Sequence, residues 1–147
     1  MGMKARTKLL TALFSVMVFS LSCGAMTLFA QDCRVIRVHG GYHGLKDRIE
    51  IEPQTTWIAK GSCVIWMNWI KTNQKVKIVF EDGKHCHDLT EAPVGFTMSN
   101  VCYVTSWIPL GGTSSLLFKD EGTFEYIVEV EGGTKAQGKI IVQCSEE

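Results

Sequence analysis

Apolar and polar residues alternate over short runs along most of this chain, and no long helical period appears. Ile49 and Ile51 alternate with Arg48, Glu50 and Glu52, and Val76 and Ile78 alternate with Lys75 and Lys77. The stretch 63–68 is apolar and rich in strand-forming residues, with Trp66 in step with Val64 on the core side. Such runs predict strands at 34–38, 48–52, 63–68, 75–80, 102–107, 114–118, 123–130 and 139–143. Turn-forming breaks separate them, among them Gly40-Gly41, Lys60-Gly61, Gly111-Gly112, Glu121-Gly122 and Gly132-Gly133. Many short alternating strands with glycine turns mean an all-β sandwich or barrel. One excursion, 82–100, carries no clear strand, and a short helical turn is predicted near 88–92.

The N-terminus has a different pattern. Lys4, Arg6 and Lys8 precede an uncharged apolar run that extends from Leu9 to about Ala30. A basic flank, an apolar centre and small residues before a cut make residues 1–30 an expected export signal, with cleavage after Ala25 or Ala30. The run also reaches the roughly 20 residues that span a bilayer, so an uncleaved anchor is the alternative and the membrane contact it implies is through this segment alone. A lipoprotein signal ending at Cys23 fits less well, because Ser20 stands where Leu is preferred. Residues 31–147 then form one domain, expected in the periplasm or secreted.

Charge narrows the classes further. Without Lys4, Arg6 and Lys8, the fifteen basic residues fall to twelve against fifteen acidic ones. The balance is mildly acidic and no basic stripe is visible, so nothing attracts nucleic acid. No acid–base or nucleophile constellation stands out. Ser114-Ser115 opens a strand with no His near it in sequence, and no enzyme activity is expected.

The order of pieces resembles the plastocyanin-like cupredoxins. The matching segments are Pro53-Gln-Thr-Thr-Trp-Ile-Ala-Lys-Gly61, Val64-Ile-Trp-Met-Asn68, Val76-Lys-Ile-Val-Phe80, Pro109-Leu-Gly-Gly112, Leu116-Leu-Phe118, Glu121-Gly-Thr-Phe-Glu-Tyr126 and Gly138-Lys-Ile-Ile-Val142. The resemblance covers most of residues 31–147 and implies a cupredoxin-like Greek-key β-sandwich of seven to eight strands. It also implies where copper would be held. The two imidazoles, the thiolate and the axial thioether of a type 1 site fall on Val76, Glu131, Val128 and Ala136. None of these suits a soft copper ion. The expectation is therefore a cupredoxin-like binding or structural module with no type 1 copper, and no cofactor at all is the simplest reading.

Copper remains possible elsewhere, and two clusters form the alternative of an exported metal-binding protein. His85 and His87 share a face of an extended segment around Cys86, and Met98 and Cys102 could join them as soft ligands. Against this stands a Cys86–Cys102 disulfide that pins the excursion, worth roughly 3 kcal/mol on loop entropy. The second cluster is His39 and His43 on a glycine-rich loop, with Glu131 as a further ligand; the resembled fold places that loop near the vacated copper end. The same topology brings Cys33, Cys63 and Cys144 towards one pole, with Cys33–Cys63 the preferred bridge of those open. At the copper end it places Trp69, Ile70, Trp107, Ile108 and Leu110, an expected contact surface for an exported protein partner.

Overall fold

The computed structural model describes residues 32–40, 48–80, 86–99 and 102–144, with the side chains of 86 and 87 outside the description. The expected signal or anchor segment lies outside it too.

Among the described residues, eleven strands form two facing sheets. In chain order they are β1 (Cys33–Gly40), β2 (Ile49–Glu52), β3 (Thr55–Ala59), β4 (Cys63–Asn68), β5 (Val76–Phe80), β6 (Thr90–Val94), β7 (Phe96–Ser99), β8 (Cys102–Thr105), β9 (Thr113–Phe118), β10 (Gly122–Val130) and β11 (Lys135–Gln143), with one helical turn, α1 (Cys86–Leu89). One sheet runs β2-β1-β4-β9-β6 and the other β3-β11-β10-β5-β8-β7. Two of the neighbouring pairs are parallel, β1 with β4 and β3 with β11. This is a cupredoxin-like Greek-key sandwich. The chain changes sheets at Glu52–Pro53, where proline lacks the N–H that would continue β2.

The strands beyond the expected seven to eight are β3, β6 and β7, each at the edge of its sheet. β3 holds only one neighbour, β11, from the far end of the chain. β6 and β7 are short and mostly exposed, are split by Gly95, and contain Pro93. Pairing with β9 and β8 makes them strands, because their alternation is too short to signal one. The helical turn correspondingly sits two residues or more before its predicted place: it closes at Leu89, and Ala92 already belongs to β6. β11 begins at Lys135, ahead of the predicted 139, since it zips against β10 as far as Glu129↔Lys135.

Inward-facing alternate residues form one core. Trp66 stands at its centre, edge-on to Phe80, Phe96 and Tyr126 with ring centroids 5.7, 5.4 and 5.6 Å away. Burial pushes the Tyr126 phenol well above its ordinary pKa. The Trp66 indole opposes that shift, but the two polar atoms do not reach hydrogen-bond geometry, so desolvation prevails. Gly138, the register partner of Tyr126, leaves the space this ring occupies: a Cβ there would overlap the phenol itself. A Gly138→Ala substitution is expected to cost about 2–3 kcal/mol in urea unfolding through overpacking against Tyr126.

Cys33 and Cys63 are register partners on β1 and β4 and form a disulfide, as expected. The bridge closes a loop with a sequence separation of 30. Replacing both with serine should lower unfolding free energy by about 3–4 kcal/mol, read from urea unfolding fitted for both midpoint and slope, since the uncrosslinked unfolded chain is more expanded.

Candidate functional site

At one pole of the sandwich, a single buried amide holds two loops. Asn68 ends β4 with its side chain inside. Its Nδ2 donates to the carbonyls of Gln74 and Ile108, both at 2.9 Å. Its Oδ1 accepts the Ile70 amide at 3.0 Å. The backbone of Asn68 adds bonds to Gly111 and Gly112. The loop from β4 to β5 and the loop from β8 to β9 are thereby tied to one point.

The four positions that would hold copper sit at this end, and each has a clear structural role. Val76 opens β5 and Val128 lies in β10; both are fully buried. Val128 is paired with Ile78 on one side and Ala136 on the other, and Val76 with Val130. Glu131 starts a tight turn in which the Gly133 amide donates to the Val130 carbonyl and the Val130 amide to that of Thr134. Gly132 and Gly133 adopt φ of 113° and 98°, a conformation that favours glycine. Gln74 Nε2 closes the turn further by donating to the Glu131 carbonyl. The place of an open ligand loop is thus taken by a β-hairpin sealed to its tip. Its residues do not fit a type 1 copper ion, since they offer one exposed carboxylate and no imidazole, thiolate or thioether.

Of the five residues expected at a contact surface, three are exposed. Trp69, Trp107 and Leu110 are 46%, 45% and 44% exposed. Ile70 and Ile108 are buried and belong to the core, contrary to expectation. Asn68 accepts the Ile70 amide, and Ile108 forms a bridge with Val76, which turns both side chains inward. The Lys77 ammonium lies over the Trp107 ring, 5.8 Å from its centroid.

The metal clusters are not assembled by the described residues. Cys102 is buried and disulfide-bonded, so its sulfur is no thiolate ligand for His85 or His87. His85 and the side chains of Cys86 and His87 lie outside the described residues. Met98, on β7, points to solvent. His39 is held by Glu52, Nε2 to Oε2 2.9 Å, in a cleft of about 610 Å³ that also contains Arg48, Glu50, Gln54 and Gln137. His43 is outside the description. Glu131 is turned to the Lys75 side of the hairpin, away from His39's partners. Among the described residues, no group of three His, Cys, Asp or Glu could hold a metal. Cys144 is an exposed free thiol. Beyond the expected set, Asn68 is the organising residue; its sequence signal was a lone amide closing an apolar strand.

No protein-family model and no curated protein matches the chain. Solved structures do. A purple cupredoxin from Nitrosopumilus maritimus aligns at 16% identity over 74% of this chain and 98% of its own, with a TM-score of 0.48. Amicyanin from Paracoccus versutus aligns at 13% identity over 74% and 81%, with a TM-score of 0.43. It is the strand order described above that makes this sandwich cupredoxin-like.

An Asn68→Ala variant should lose about 2–3 kcal/mol in urea unfolding, because it strands the Ile70 amide and the Gln74 carbonyl and takes one of two donors from the Ile108 carbonyl, which keeps the Val76 amide. Asn68→Asp should also be costly, since a carboxylate accepts from Ile70 but cannot donate to Gln74 or Ile108.

Proposed function

We propose that this chain is an exported, cupredoxin-like binding or structural module that works without type 1 copper and meets a protein partner through its tryptophan-bearing pole. One observation carries the reading. The ligand positions are filled by buried valines under a closed hairpin, while Trp69, Trp107 and Leu110 stay exposed on loops anchored by Asn68. Rigid, half-exposed aromatic residues are strong contact groups at protein interfaces. Export is supported by the N-terminal pattern and by the Cys33–Cys63 disulfide, which belongs to an oxidising compartment such as the periplasm or the cell exterior. The alternative of metal handling has less support: the Cys102 sulfur is committed to a disulfide, and His39 is engaged by Glu52. We assign the module no catalytic role.

Photo-crosslinking in the exporting cell tests the reading. A photoreactive residue at Leu110 should give a discrete protein adduct, and Trp69→Ala/Trp107→Ala should abolish it while leaving the thermal midpoint unchanged. An adduct indifferent to both tryptophans would overturn the assigned surface. One tightly bound copper per chain with intense visible absorption would overturn the copper-free assignment.

A further inference from the structure

Among the described residues the sandwich has four edge strands, and three of them are blunted. β2 carries Glu50 and Glu52. β6 contains Pro93, and its pairing slips between Glu91 and Val94. β7 has four residues, half of which can turn backbone groups outward. The fourth, β3, reads Thr-Thr-Trp-Ile-Ala, with no charge, no proline and no slip in register. Trp57 at its centre is 57% exposed, more than any other described tryptophan.

Two hydrogen bonds fix which backbone groups of β3 face outward. The Lys139 amide donates to the Gln54 carbonyl at 2.9 Å, and the Lys60 amide to the Gln143 carbonyl at 2.8 Å. Backbone groups of successive strand residues point to opposite sides, so Thr56 and Ile58 share the direction of Gln54 and Lys60, towards β11. Thr55, Trp57 and Ala59 turn theirs the other way, where no described strand pairs with them. The Ala59 carbonyl accepts the Ser62 amide at 3.1 Å in the turn that follows and keeps a second lone pair. β1 approaches β3 from the facing sheet, but its strand hydrogen bonds go to β2 and β4.

This edge is complementary to itself. Its outward-turned residues are spaced evenly about Trp57, so a second β3 laid antiparallel with Trp57 opposite Trp57 brings Thr55 opposite Ala59 at both ends. In that register all three positions become hydrogen-bonded pairs. No charge lies inside the strand. Just outside it Gln54 meets Lys60, whose ammonium is 3.0 Å from Asp120 of its own copy, so no like charges are opposed. On the outer face Trp57 stands beside half-buried Ile141 of β11. Joining two edges sets Ile141, Trp57, Trp57 and Ile141 side by side in one row and takes the aromatic surface out of water.

We propose that two copies of this chain pair through β3, antiparallel about a two-fold axis at Trp57, which joins their six-stranded sheets into one. The contact is isologous, so it occupies both edges and closes at two copies. It does not depend on the function assigned to the tryptophan pole.

Sedimentation equilibrium of the purified protein carrying Cys144→Ser tests this, since that substitution removes the exposed thiol as a route to dimers. A monomer–dimer equilibrium with a Kd of about 100 µM or tighter is expected, as for a small interface. Trp57→Lys should weaken it about tenfold or more by setting two ammonium groups face to face. Trp69→Ala/Trp107→Ala should leave it unchanged. Thermal midpoints equal to that of the parent protein show that the variants remain folded. For the register, copies carrying Thr55→Cys and copies carrying Ala59→Cys are mixed and oxidised. The mixture should crosslink and neither variant alone should, because directly opposite positions lie about 5.5 Å apart, within disulfide reach. A protein that stays monomeric at about 1 mM overturns the proposal, whatever other strand the edge accepts. A dimer whose Kd is unchanged in Trp57→Lys overturns it too, as does a crosslink formed as readily by Thr55→Cys alone as by the mixture.

Discussion

The hydrogen bonds of the Asn68 side chain are what the tryptophan-bearing end of this molecule depends on. Two sheets facing each other leave their connecting loops free to wander at the poles, and here the loops are long. One buried amide removes that freedom. It has two donors and one acceptor, and the carbonyls of Gln74 and Ile108 and the amide of Ile70 use all three. An apolar side chain could fill the volume but would leave the Ile70 amide and the Gln74 carbonyl without this partner, and the Ile108 carbonyl with the Val76 amide alone. Held in this way, the loops turn Ile70 and Ile108 into the core and keep Trp69 and Trp107 half outside.

The same end shows how a cupredoxin-like sandwich can close over the place of its metal. A type 1 site needs a soft, rigid donor set on a loop that stays open enough to hold it. Here β10 and β11 stay paired to the tip, and valine side chains fill the space below. The loss is compatible with a stable fold because the core is centred on Trp66 and its three aromatic neighbours, with Gly138 making room for Tyr126. That packing draws on both sheets and needs no ligand. The charged outer faces are separate again, and their ion pairs are exposed and individually weak.

Much of this was legible along the chain. Period-two alternation in 48–52, 75–80 and 123–130 located strands because each has one face in a core and one in water. The Cys33–Cys63 bridge is the pairing preferred among those that the resembled topology left open. The strands β3, β6 and β7 were not legible as such. All three are sheet edges; β6 and β7 bury one residue each, and β3 buries only Thr56 and Ile58, so no apolar stripe of useful length marks them. For the same reason Ile70 and Ile108 looked like their neighbours Trp69 and Trp107, since a loop has no fixed period from which to read inside and outside.

By itself, then, the sequence determined the all-β class, and its resemblance to the cupredoxins implied the placement of β1 beside β4 and the lack of copper donors at Val76, Val128 and Ala136. The first rests on local alternation and the others on the order of the matching segments. Only the tertiary structure decided which loop residues face solvent, that Asn68 is their common anchor, and that Trp57 stands opposite Ile141. Those facts join segments up to about eighty residues apart in the chain, such as β3 and β11. Contacts of that span are set by how two sheets pack, and no local pattern of polar and apolar residues encodes them.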